Sequence, residues 1–129
     1  MPLLIRMSLC LLASTLAIPA VAQQGSVNAD EFYRDAKELS GKGMRAMFDE
    51  RTKPRMAQMR AAAETVKAEN EAAKKRGSPL HCVSDAERKK GLNTEMIVQM
   101  LGRIPEAQRK RMTLAQAWRA ALVRQYPCG

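Results

Sequence analysis

The sequence predicts an all-α fold, a small bundle of about four to five helices with one disulfide. Apolar residues recur at three- and four-residue steps between helix caps and Gly or Pro stops, which is typical of amphipathic helices. No stretch alternates apolar and polar residues beyond a few positions, as a half-buried strand would. The 129 residues are enough for one domain, and we expect a single helical domain over residues 28–129.

The first 22 residues have the pattern of a secretory signal peptide. Arg6 precedes an apolar run from Met7 to Ala17, and Ala20-Val21-Ala22 supplies a small-residue cleavage site. An uncleaved anchor would need roughly 20 uninterrupted apolar residues, and Pro19 cuts this run short. We therefore expect cleavage after Ala22, export to the periplasm, and a disordered polar leader over residues 23–27.

The charge of the exported chain is strongly positive. Removal of Arg6 leaves 21 Lys and Arg against 13 Asp and Glu, a net charge of +8. Such a surface favours an anionic partner such as an acidic protein, although charges spread over solvated helix faces also serve solubility. Nucleic acid is not expected as a partner, because export separates the chain from it and aromatic side chains for base stacking are scarce. No later segment is apolar enough to span a membrane.

The first helix is expected over residues 29–40. Asn28 can cap it, with Glu31 at the capping-box spacing, and Gly41 and Gly43 can end it. Residues 44–51 continue with apolar side chains at helical spacing. The apolar side chains of these two segments are Phe32, Ala36, Leu39, Met44, Met47 and Phe48.

A long charged helix is predicted from Pro54 to Arg76. Its narrow apolar stripe runs from Met56 through Met59 and Ala63 to Val66. The stripe could pack against neighbouring helices or form a coiled-coil seam, and it spans under three heptads.

Cys82 is expected to lie in a loop or a single helical turn. Two further helices should follow it. Asn93 can cap the first, and Gly102 and Pro105 end it. Thr113 with Gln116 matches a capping box for the last helix, which Pro127 ends. Their predicted inward side chains are Met96, Ile97, Met100, Leu101, Leu114, Ala117, Trp118, Ala121 and Leu122.

The exported chain keeps two cysteines, because Cys10 leaves with the signal peptide. We expect Cys82 and Cys128 to form one disulfide in an oxidising compartment. With the single His81 they fall short of the four ligands of a structural zinc site. The bridge would clamp the end of the last helix.

The sequence offers no catalytic constellation, metal site or cofactor motif. His81 is the only histidine, and no nucleophile-elbow, zinc-protease or phosphate-loop motif is present. We therefore expect a protein that is not an enzyme and needs no cofactor. The methionines are interpreted as adaptable core packing.

Two basic clusters flank the helix after Asn93 and are the predicted partner-binding residues. One is Lys89-Lys90, and the other is Arg109-Lys110-Arg111. Basic connectors of this kind form plausible contact sites when exposed, and ordinary solvated loops are the alternative interpretation.

Residues 82–128 resemble the Rap/Tai immunity protein domain family. The resemblance is carried by Cys82 in a loop, the capped helix LNTEMIVQMLGRIP, the connector EAQRKRM and the final helix TLAQAWRAALVRQYPC. It implies a small periplasmic helical protein that neutralises a peptidoglycan amidase effector of type VI secretion by covering its active site. It also implies a possible homodimer, for which the stripe from Met56 to Val66 could serve.

Two other functions remain open. One is an envelope protein of unknown role with a diverged immunity-like domain. The other is a small periplasmic stress or acid chaperone whose Met-rich apolar faces would be exposed by its partial unfolding.

Overall fold

The computed structural model describes residues 26–129, and the predicted signal peptide over residues 1–22 lies outside this range. Within it the fold is all-α, with one disulfide and no β-strand. Six α-helices and one 3₁₀ helix are present there, more than the four to five expected, because two connectors contain short helices. The helices are α1 (Ala29–Gly41), a 3₁₀ helix (Gly43–Phe48), α2 (Thr52–Lys75), α3 (Asp85–Lys90), α4 (Thr94–Gly102), α5 (Glu106–Arg109) and α6 (Leu114–Gln125).

The predicted helix caps are confirmed. The Asn28 side chain accepts hydrogen bonds from the Asp30 and Glu31 backbone N–H groups, and the Asn93 side chain accepts one from Met96 N–H. Thr113 and Gln116 form a complete capping box. These caps satisfy N–H groups that a helix leaves free at its start, so local sequence fixes where the main helices begin.

The long helix α2 ends in a Schellman motif. Gly77 N–H bonds to Lys74 C=O at 2.9 Å, and Ser78 N–H bonds to Ala73 C=O at 3.0 Å. Gly77 has a φ of 79°, in the left-handed region that favours glycine. The chain therefore turns back toward Cys82 at a defined point.

Helix α6 forms the centre of the bundle and packs against α1, α2 and α4. Its predicted inward face is confirmed, and Trp118 is one of its buried side chains. The core around it also contains Phe32, Val66, Met100 and Leu101. Arg119 of α6 pairs with Glu69 of α2 at 2.6 Å at the margin of this contact.

The expected apolar stripe of α2 is partly wrong. Val66 is buried and Met59 half-buried, but the side chain of Met56 is exposed. The helix instead buries Ala61 and Ala62, and Ala62 belongs to the core cluster that includes the buried side chains of α6. The stripe consequently lies along one edge of the buried face rather than at its centre.

The two ends of the domain are tied down. Ala29 N–H bonds to Met112 C=O and Leu114 N–H bonds to Val27 C=O, which joins the start of α1 to the start of α6. At the other end Cys82 and Cys128 form the expected disulfide, with their Cα atoms 5.0 Å apart. No helix of the described residues is long and apolar enough to cross a bilayer.

Candidate binding surface

An apolar groove opens between α1 and α2 on the side where the 3₁₀ helix joins them. Its volume is about 760 Å³, within the range of about 300–1,000 Å³ typical of ligand pockets. Phe32 and Trp118 of the core reach its lining, together with Met59 of α2 and Ile97 of α4. The groove thus exposes a side of the hydrophobic core that the bundle leaves uncovered.

The 3₁₀ helix beside the groove displays apolar side chains to solvent. Met44, Met47 and Phe48 are 81%, 72% and 91% exposed, and no residue of this helix is buried. Met56 across the groove is also exposed. Scattered exposed apolar residues are ordinary, but a contiguous group beside an apolar groove is typical of an interaction site.

An ion-pair cluster holds this display segment, residues 43–48, at both ends. Lys42, just before it, pairs with Asp49, just after it, at 2.7 Å. Arg51 donates to both Asp49 carboxylate oxygens and binds Glu38 of α1 through two further hydrogen bonds. These pairs, together with the Thr52 hydroxyl that donates to the Ala46 carbonyl, join the segment to α1 and α2.

The same charges shift the pKa values of their partners. Hydrogen bonds from Arg51 and then Lys42 hold the pKa of Asp49 far below its usual range, and the same two donors lower the pKa of Glu38. Asp49 in turn raises the pKa of Arg51. All of these groups therefore stay charged throughout the neutral and mildly acidic range.

Arg55 joins the two helices that wall the groove. It donates to Asp35 of α1 at 2.6 and 2.9 Å and to Glu31 at 2.8 Å. The acidic side chains of Asp35 and Glu31 on α1 are therefore paired within the protein itself.

The predicted basic clusters lie before and after α4 in the sequence, Lys89-Lys90 at the end of α3 and Arg109-Lys110-Arg111 at the end of α5. Lys89 and Arg111 are exposed, and neither makes an ion pair within residues 26–129. Lys90 pairs with Glu87, and Lys110 pairs with Glu106.

The expectation that Arg109 is exposed is wrong. Its side chain is buried, its Nε donates to Asp30 at 3.0 Å, and its guanidinium lies 3.9 Å from the centre of the Tyr33 ring. The short helix α5, which lies in a segment predicted to be a polar connector, places this side chain against α1. Arg109 is therefore part of the packing between α1 and α5.

His81 and the cysteines form no reactive centre. His81 is buried, and its Nδ1 has no hydrogen-bond partner. Burial, followed by the charge of Arg88, lowers the pKa of its imidazole. Cys82 is oxidised, and the described residues contain no group of three or more His, Cys, Asp or Glu side chains able to hold a metal ion.

Sequence reasoning missed the groove. The available signal was the group Met44, Met47 and Phe48 beside the helix stop at Gly43, which the helical spacing suggested would be packed inward. Helical spacing shows that side chains share a face, but it does not show that another element covers the face.

A scan against protein-family models and searches of curated proteins and of solved structures gave no match to this chain.

Proposed function

We propose that this protein is a non-enzymatic binding protein of the immunity type, exported to the periplasm, which neutralises a peptidoglycan amidase effector by covering its active site. The observation that carries the proposal is the rigidly held display segment beside the apolar groove. The resemblance of residues 82–128 to the Rap/Tai immunity domain supplies the class of partner.

The display segment suits a binding role on energetic grounds. Burying an apolar side chain of this size contributes about 1.5–3 kcal/mol of favourable free energy. Three such side chains, those of Met44, Met47 and Phe48, are exposed in this one segment. Because the ion pairs of Asp49 fix the segment before binding, less conformational entropy is lost when a partner docks. Methionine also adapts its shape to a partner surface.

The test begins with a search of the neighbouring genes for a peptidoglycan amidase effector, which is then purified. We expect an equimolar amount of the protein to stop hydrolysis of purified peptidoglycan, followed by loss of turbidity. The Met47→Asp/Phe48→Asp variant should lose this inhibition, while Val123→Asp, at an exposed apolar residue outside the groove lining, should retain it. Undiminished hydrolysis with excess wild-type protein, or an equal effect of both variants, would contradict the proposal.

The exposed methionines also favour a second candidate, a holdase for unfolding periplasmic proteins. Met44, Met47 and Met56 offer an adaptable apolar surface without prior unfolding. Suppression of client aggregation at neutral pH without inhibition of an amidase would select this candidate over the first.

A further inference from the structure

We propose that the groove receives an amphipathic helix of the partner protein, with carboxylates along the margin that faces α2 and the display segment. This inference rests on the proposed binding function and names the chemistry of the segment that docks.

The shape of the groove suits a helix of about two to three turns. It follows α1 from Phe32 to Ser40, about 12 Å of helical rise, and continues to Gly43 and Ala46 of the display segment. Its walls are helices α1 and α2 and the start of α4, so a further helix can pack its side chains between their ridges. Apolar side chains at positions i, i+3 or i+4, and i+7 of the docked helix would then contact the apolar residues that line the groove.

The charges on the α2 side of the groove point to carboxylates on the occupant. The nearby acidic residues Asp35, Glu38 and Asp49 are all engaged by arginine or lysine of this chain. Three cations on or next to this side of the groove make no ion pair with residues 26–129: Arg60 in the groove lining, Arg45 on the display segment, and Lys53 beside the lining residue Thr52 in the first turn of α2.

Three glutamates on or next to the groove also make no ion pair with residues 26–129. Glu95 lies in the lining contributed by α4, Glu50 lies in the turn between the display segment and α2, and Glu64 lies one turn after Arg60 on α2, so the α2 and display-segment side keeps an excess of cations while the α4 wall carries a carboxylate. The walls therefore differ in charge, and an occupant with carboxylates toward α2 would dock in one orientation.

A second copy of this chain fits the same groove poorly. A twofold dimer places the same patch against itself, which would bring both copies of Arg45, Lys53 and Arg60 into one interface together with both copies of the unpaired glutamates. Each exported copy also carries a net charge of +8. Like charges brought together weaken such a contact, whereas they strengthen one with an acidic segment.

The test measures binding of two fluorescent 15-residue helical peptides with the same leucine stripe, one with glutamate and one with lysine along its margins. At physiological ionic strength we expect the glutamate peptide to bind at least about tenfold more tightly. The variant Arg45→Gln/Lys53→Gln/Arg60→Gln should lose about tenfold in affinity for it. The control Lys75→Gln/Arg76→Gln/Arg111→Gln removes the same net charge at exposed residues outside the groove lining and should bind nearly as wild type.

Equal affinity for the two peptides would overturn the inference. Equal losses of peptide affinity in the two triple variants would also overturn it, because they would show a general effect of net charge. A dimer seen in sedimentation that excludes the peptide would overturn it as well. Circular dichroism checks that each variant is folded. An amidase inhibitor without peptide selectivity would refute this inference alone, while selective peptide binding without amidase inhibition would refute only the immunity proposal.

Discussion

Arg109 and Asp30 form a buried ion pair between α5 and α1. Both side chains are less than a tenth exposed, and Arg34 lies 3.5 Å from the second carboxylate oxygen of Asp30. The Tyr33 ring covers the guanidinium, and the Ile104 carbonyl accepts another of its hydrogen bonds. A charge with this set of partners is costly to remove, because the groups left behind remain buried.

Arg109→Met should lower the free energy of unfolding by about 3–5 kcal/mol, because it leaves the Asp30 carboxylate buried without its main partner. Urea denaturation followed by circular dichroism measures the change. The control is Arg111→Met two residues away, which is exposed and unpaired and should stay within about 0.5 kcal/mol of wild type. Similar losses in the two variants would contradict a special role for the buried pair.

His81 makes the stability of the protein depend on pH. Because burial lowers its pKa in the folded state, the unfolded chain binds more protons than the folded one just below the usual imidazole pKa of 6.5. Stability should therefore fall as pH drops through about 6.5, and this fall should stop below the folded-state pKa. Arg88 adds to the effect, since its charge also opposes protonation.

The melting temperature between pH 7.5 and pH 5 tests this expectation. The wild-type protein should melt at a lower temperature toward pH 5, and His81→Gln should show a flatter profile because it cannot titrate. The Asp49 and Glu38 carboxylates do not disturb this window, since their pKa values are lowered. Parallel profiles for the two proteins would assign the pH dependence to other groups.

The display segment is an element held by charge rather than by burial. Asp49 forms ion pairs with Lys42 on one side and with Arg51 on the other. It also accepts a hydrogen bond from the Arg51 backbone N–H. The segment contains Arg45, a trypsin site, in an exposed position. Its resistance to proteolysis therefore reports how firmly the ion pairs hold it.

Asp49→Asn should accelerate trypsin cleavage after Arg45 several-fold, because the amide cannot form the ion pairs that join the two ends of the segment. Mass spectrometry of short digests identifies the cut. The neighbouring variant Glu50→Gln alters an exposed carboxylate that has no ion pair and should be cleaved at the wild-type rate. Unchanged cleavage in Asp49→Asn would mean that the backbone alone fixes the segment.

At the scale of the whole molecule, the disulfide joins the end of α6 to the loop after α2. Further contacts hold the same region: Cys82 N–H bonds to Tyr126 C=O, and the Asn70 side chain bonds to the backbone of Leu80 and His81. The C-terminus is therefore tied to α2 by both covalent and hydrogen-bonded links.

The double variant Cys82→Ser/Cys128→Ser should lose about 4 kcal/mol of stability, because the bridge closes a loop of 46 residues in the unfolded chain. Urea unfolding of this variant, and of the wild type with and without a reducing agent, measures the loss. The reduced wild type should match the double variant. An unfolding midpoint that reduction leaves unchanged would contradict the stabilising role of the bridge.

Several features of the fold could be predicted from the sequence: the all-α class, the starts of α1, α4 and α6, the buried face of α6 and the disulfide. These features depend on hydrogen bonding at helix caps, on helical periodicity and on the presence of Cys82 and Cys128. Each of these signals involves residues that are close in sequence or a simple count of residues.

Which faces stay open and which charges are enclosed depends on how the helices pack. Periodicity placed Met56 on an apolar stripe, but in the packed bundle α2 buries Ala61, Ala62 and Val66 and leaves Met56 exposed. Likewise Arg109 is one of three successive basic residues, and only the packing of α5 on α1 encloses it. The groove itself lies between elements distant in sequence, so its apolar lining forms only when the helices pack.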